Sequence, residues 1–150
     1  MTDEQPASPC SGDEYRQFDF WIGDWEVTDE AGEPQGTNRI ESILNGCALR
    51  ESWSGAGGSA GHSFNTVDRH TGRWHQTWVD SNGLLLLLDG AFDGTSMVLA
   101  GPGISRDGDP ISHRISWTPI DDGRVRQHWE VSKDGEAWNE VFDGYYTRVG

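Results

Sequence analysis

From Trp25 onward, apolar and polar residues alternate in short runs, and Asn-Gly or Asp-Gly pairs separate many of the runs. These pairs stand at 45–46, 82–83, 93–94, 107–108, 122–123, 134–135 and 143–144. Asn-Gly and Asp-Gly favour tight hairpins because the central residues of such turns take positive φ. Their spacing, mostly about 10–15 residues, suits an all-β sandwich or barrel and leaves no room for the crossover helices of a parallel sheet. About ten strands follow, cored on residues 25–29, 37–44, 48–54, 62–67, 73–80, 84–89, 95–100, 111–118, 124–132 and 138–148. Joined in order by tight turns, they close most simply into an antiparallel up-and-down barrel, which leaves no unpaired edge. A bulge at Gly144 is expected in the last strand.

The pattern before Trp25 is different. Ser11 precedes Glu14 by three residues, and Tyr15, Phe18 and Ile22 follow at helical spacing, which predicts a capped short helix ending near Trp21 or Ile22. Residues 1–10 are polar, with Pro6 and Pro9, and read as a disordered head. Residues 11–150 are left as a single barrel domain.

Alternation also assigns faces. Trp74 and Trp78 flank Gln76; Ile111, Ile115 and Trp117 share a face with His113; Val125, Trp129 and Val131 share one with Gln127; Leu49 and Trp53 flank Glu51. Four strands thus present an apolar face interrupted by one polar side chain. A cavity lined by aromatics with a few convergent polar groups is the general form of a small-molecule site.

Composition narrows the partners. With 25 acidic against 11 basic residues the chain carries a net charge of −14, which opposes binding to nucleic acid or to an anionic membrane. The longest apolar run, Leu84 to Leu88, is far short of the ~20 residues of a membrane helix, and no signal pattern opens the chain. These features read as a cytoplasmic protein. Apolar residues make up only 34%, but 8 Trp, 5 Phe and 3 Tyr supply core volume. Cys10 and Cys47 lack metal spacing, and reduced thiols are the expectation, with a bridge between them as the alternative.

Several residues invite chemistry. The run Gly55 to Gly61 formally matches a dinucleotide-binding pattern, but a strand follows it instead of a helix, so it reads as a loop at the barrel mouth. No pair of histidines or cysteines has metal-ligand spacing, and neither metal nor cofactor is expected. Glu51 facing an aromatic interior would be costly unless paired; pairing with an inward arginine or tyrosine, or a strand turned so that Arg50 faces in, are its alternatives. His113 is either a core histidine satisfied by a neighbour or a ligand or proton-transfer group. Gln76 and Gln127 either orient a ligand or bond each other. In the run Leu84 to Leu88, one face would hold Leu84, Leu86 and Leu88 and the other Leu85 and Leu87, so the outer pair calls for a homodimer contact or a packed helix.

Gly23, Asp24 and Trp25 after the short helix resemble the Gly-x-Trp signature of lipocalin and calycin barrels, in which a basic residue near the end of the last strand packs across the tryptophan. Arg148 occupies that place. The stretch Phe18-Asp19-Phe20-Trp21-Ile22-Gly23-Asp24-Trp25-Glu26-Val27, with residues 74–80, 117–119 and 126–130, resembles an uncharacterised bacterial lipocalin-like family. That resemblance implies a fold and no activity. Haem-binding ten-stranded barrels of the nitrobindin type are similar in strand number. They carry Gly-x-Trp-x-Gly-x-Gly and a C-terminal haem-ligating histidine, where this chain has Glu26, Val27 and Thr28 and then Tyr145 and Tyr146.

The leading expectation is a binding module for a small apolar or aromatic molecule, walled by Trp53, Trp74, Trp78, Trp117 and Trp129 and oriented by Gln76, His113 and Gln127. The alternative is an isomerase, hydratase or cyclase using Glu51 and His113 as an acid/base pair, which requires them within hydrogen-bond reach. A third is a filled, purely structural barrel. A connected cavity of about 300 Å³ or more would separate binder from filler.

Overall fold

The computed structural model describes residues 9–149. Ten strands run β1 Gly23–Thr28, β2 Pro34–Ile43, β3 Ala48–Gly55, β4 Ala60–Asp68, β5 Arg73–Asp80, β6 Leu85–Phe92, β7 Met97–Ile104, β8 Pro110–Pro119, β9 Val125–Ser132 and β10 Asn139–Arg148. Each pairs antiparallel with the next, and β1 pairs with β10, so the sheet closes as a barrel. Each of the nine hairpins holds a glycine at positive φ, between 75° and 98°. At 45–46 and 122–123 the preceding Asn or Asp is also left-handed, as a two-residue turn matched to strand twist requires.

The pair Asp143 and Gly144 is not a turn. Asp143 lies opposite His128 and Gly144 opposite Gln127, within β10, and the expected bulge falls at Val141 instead, where the register shifts between Glu140 and Phe142. The glycine serves close packing: a Cβ on Gly144 would sit 2.5 Å from the Phe142 ring and 3.0 Å from Val27. Gly61 does the same on β4, beneath the Trp78 ring, so the glycine run is a short hairpin with one end built into the wall.

The expected short N-terminal helix is present in 3₁₀ form, as two single turns, Asp13–Arg16 and Asp19–Trp21, and no side chain caps the first. The residues this segment buries, Tyr15, Phe18 and Trp21, recur every third position, which is the repeat of a 3₁₀ turn. They plug one end of the barrel. Phe18 stacks on Trp21 at 4.7 Å and meets Trp74 and Trp117 edge-on at 5.6 and 5.2 Å. The Trp74 indole N–H donates to the Glu14 carbonyl at 3.2 Å.

The expected reduced thiols are contradicted, because Cys10 and Cys47 form a disulfide with Cα atoms 5.0 Å apart. Cys47 follows the β2–β3 turn, which the barrel brings to the same end as the plug, so residues 37 apart in sequence meet. Cys10 is buried, and order therefore begins inside the stretch read as a disordered head; residues 1–8 of that head lie outside the described residues. Removing the bridge with Cys10→Ser is expected to cost about 3–4 kcal/mol, mainly through the freed unfolded chain. Urea unfolding of wild type and variant, with and without reductant, measures it; reductant should shift the wild type alone.

The closing seam pairs Trp25 with Arg148. The guanidinium lies 4.2 Å from the Trp25 ring centroid and donates to the Ile22 carbonyl at 2.9 Å, while the Trp25 indole N–H donates to the Trp21 carbonyl at 2.8 Å. A Cβ on Gly23 would collide with that guanidinium. Gly23, Trp25 and Arg148 thus form one unit that ties plug to seam, an arrangement compatible with a lipocalin-like or calycin-like barrel.

Leu86 and Leu88 point into the core, whereas Leu85 and Leu87 are 57% and 48% exposed. Across the register they join Val79 and Phe64, 52% and 55% exposed, in one outward patch on β4, β5 and β6. Among the described residues no helix covers it.

Candidate functional site

Strand direction separates the two ends of the barrel. The plugged end carries the turns after β2, β4, β6 and β8, and the other end carries those after β1, β3, β5, β7 and β9. A pocket of about 100 Å³ opens at the second end. Its rim is aromatic: Trp53, Trp78 and Trp129, each one inward position nearer the mouth than the polar residue behind it, and Phe142, two inward positions nearer the mouth than Tyr146. Leu86 and Ile115 line one side, and Glu51, Gln76, Gln127 and Tyr146 form the floor.

The rim rings are held by specific contacts. Trp53 meets Phe142 edge-on at 5.9 Å. The Trp78 indole donates to the Asp80 carboxylate at 3.0 Å, and the Trp129 indole donates to His113 Nδ1 at 3.0 Å. His113 therefore acts as an acceptor at Nδ1, leaving its other ring nitrogen to carry the proton. Burial holds its pKa below the usual imidazole value. Its Nε2 occupies space that a Cβ on Gly103 would fill.

A continuous polar network lies beneath. Asn38 donates to Glu51 Oε2 at 2.7 Å and to the Tyr146 hydroxyl at 2.9 Å, and that hydroxyl donates to Gln127 Oε1 at 2.5 Å. On the other side Ser63 donates to Glu51 Oε1 at 2.7 Å, Asn65 to Ser63 at 2.9 Å, and Gln76 to Asn65 at 2.8 Å. Seven side chains from β2, β3, β4, β5, β9 and β10 are linked in this way. Both Glu51 oxygens accept, as a carboxylate does, yet the side chain is only 4% exposed. Burial lifts the Glu51 pKa to about 7 against the opposing pull of the Asn38 and Ser63 hydrogen bonds. Desolvation and the nearby Glu51 charge push the Tyr146 hydroxyl well above its ordinary range.

Of the residues expected at a site, the structure gathers Glu51, Trp53, Gln76, Trp78, Gln127 and Trp129 around one pocket. Trp74 and Trp117 belong instead to the plug, because on their strands the inward position nearest the closed end faces Phe18. His113 lies behind Trp129 as a histidine satisfied by its neighbour. Glu51 and His113 do not form a pair: β3 and β8 stand five strands apart in either direction around the barrel, and each side chain bonds to other partners. An acid/base mechanism on those two residues is therefore corrected. Gln76 and Gln127 bond Asn65 and Tyr146, not each other. Alternation alone missed Phe142 and Tyr146, whose strand contains the Val141 bulge, and Asn38, Ser63 and Asn65, whose polar character hid their inward facing.

The pocket is about a third of the size expected for a drug-sized ligand. An open acidic cleft of about 320 Å³ adjoins the rim, lined by Asp29, Glu30, Glu140 and Asp143 and sharing Phe142 with the pocket. Among the described residues no group of three or more His, Cys, Asp or Glu is placed to hold a metal ion, and no helix is long and apolar enough to cross a membrane. No known protein family and no curated protein matches this chain.

Proposed function

We propose that the barrel binds a small, compact, mainly apolar molecule at its open end. The observation that carries this reading is Glu51. A barrel serving only as a filled scaffold gains nothing from burying a carboxylate without a cationic partner, which costs stability, and departures of this kind concentrate at functional sites. Here the costly group faces empty space between aromatic rings. A long or polyunsaturated ligand does not fit about 100 Å³; a dry cavity of about 150 Å³ holds benzene, so the occupant is of single-ring size or smaller, inserted through the mouth. With so few atoms in contact, affinity should lie at roughly 10 µM to 1 mM. Titration with single-ring and smaller fragments, followed by tryptophan fluorescence, tests the reading. A saturable change in the wild type should be lost in Ile115→Phe, a variant that fills the pocket and still unfolds cooperatively. No saturable change with any fragment would argue for the filled barrel.

The outward patch supports a second copy of the chain as partner. The outward faces of β4, β5 and β6 present His62, Phe64, Thr66, Asp68, Arg73, His75, Thr77, Val79, Leu85, Leu87 and Asp89, two carboxylates set against one arginine in a chain with 25 acidic residues. Two copies can meet there without the repulsion that opposes contact elsewhere. Sedimentation should show a dimer that Leu87→Glu converts to a monomer; a wild-type monomer at high concentration contradicts the contact.

A further inference from the structure

We infer that the molecule bound above Glu51 is an organic cation, an ammonium carrying an apolar or aromatic body. This rests on the ligand-binding reading above and specifies its chemistry. Three independent features point the same way.

The first is the missing counter-charge. Glu51 lines the pocket, yet its hydrogen-bond partners, Asn38 and Ser63, are both neutral. Among the described residues it takes part in no ion pair, and no Lys or Arg lines the pocket. A ligand ammonium supplies what the protein withholds. The second is the rim. Trp53, Trp78, Trp129 and Phe142 surround the opening, and aromatic faces attract ammonium groups through their quadrupoles; cages of this type recognise quaternary nitrogen.

The third is the charge along the barrel axis. The five turns at the open end, residues 29–33, 56–59, 81–84, 105–109 and 133–138, carry seven carboxylates against Arg106 and Lys133. The four turns at the plugged end, 44–47, 69–72, 93–96 and 120–124, carry three against Arg69 and Arg124. The plug adds Asp13, Glu14 and Asp19 against Arg16 at the closed end, so the balance is −3 there and −5 at the mouth, and the larger excess draws cations toward the mouth. An anion would be repelled, and a neutral ligand would leave the carboxylate uncompensated.

The groups facing Glu51 from neighbouring strands fix the pH dependence. Asn38 on β2, Ser63 and Asn65 on β4, Gln76 on β5 and Gln127 on β9 do not titrate near neutrality, and burial keeps Tyr146 on β10 protonated. His113 on β8 is engaged with Trp129. Glu51 is the titrating group that lines the pocket and meets the cation. Above its titration the cation meets a carboxylate; each pH unit below should weaken binding about tenfold.

Calorimetric titration with choline and with its uncharged isostere, carbon replacing nitrogen, tests the inference. At pH 8 choline should bind at least tenfold more tightly, lose that advantage by pH 5, and bind Glu51→Gln at least tenfold more weakly. Equal affinity for both compounds, independent of pH, would overturn the cation while leaving the pocket as a site for neutral molecules. Binding of neither compound would remove both readings. The wild-type comparison and its pH profile stand even where the variant does not fold.

Discussion

Replacing Trp25 by alanine is expected to lower the unfolding free energy by about 3–5 kcal/mol, a large part of the roughly 5–15 kcal/mol that holds a domain together. Trp25 is buried under Tyr146 and Arg148, and its indole N–H satisfies the Trp21 carbonyl. Truncation would open a cavity at the one place where first strand, last strand and plug meet, and would free both the seam and the segment that seals the end. Arg148→Ala should cost much less, about 1 kcal/mol, because its guanidinium is exposed and contributes through the ring face and carbonyl contacts. Urea unfolding of both variants checks the pair. Similar costs would mean that Trp25 acts only through its cation contact and not as the keystone of closure.

The second large effect concerns pH. Glu51 has a pKa of about 7 in the folded barrel against an ordinary value of 4.5. Between those values the native state holds a proton that the unfolded chain has released, so rising pH favours unfolding. The sign is opposite to that of a salt-bridged carboxylate: the native preference for the proton is fully present below pH 4.5 and lost as pH rises through 7. The loss amounts to about 3 kcal/mol at alkaline pH. Glu51→Gln, which keeps an acceptor for Asn38 and never ionises, should abolish this slope and be more stable than wild type at pH 8 by about that amount. Thermal unfolding from pH 4 to 9 measures both curves. Parallel curves would show that Glu51 is hydrated or paired and not a buried, uncompensated carboxylate. A variant that gains stability while losing choline binding would show a residue kept for function.

Sequence legibility follows the physics of each element. The ten strands and their closure could be read because period-two alternation and left-handed glycines are local properties, set by the pleat and the turn. Glu51, Gln76 and Gln127 could be read as inward for the same reason. Depth along the barrel could not: Trp74 and Trp78 share a strand face and differ only in which end they reach, and that depends on where the plug docks. The disulfide was hidden likewise, since Cys10 and Cys47 meet only once the barrel brings the β2–β3 turn to the plug. Gly144 misled because one residue type serves both turns and close approach. Asn38, Ser63 and Asn65 could not be singled out because alternation equates polar with solvent, and a buried network breaks that equation.

Binding of an organic cation at the aromatic mouth is tested most directly by the indole N–H resonances of the 8 tryptophans during titration with tetramethylammonium. Saturable shifts are expected for Trp53, Trp78 and Trp129, with Trp21, Trp25, Trp74 and Trp117 unmoved in the plug and seam. Shifts confined to Trp138, which lies under Arg114 outside the pocket, or no shifts at all, would contradict it.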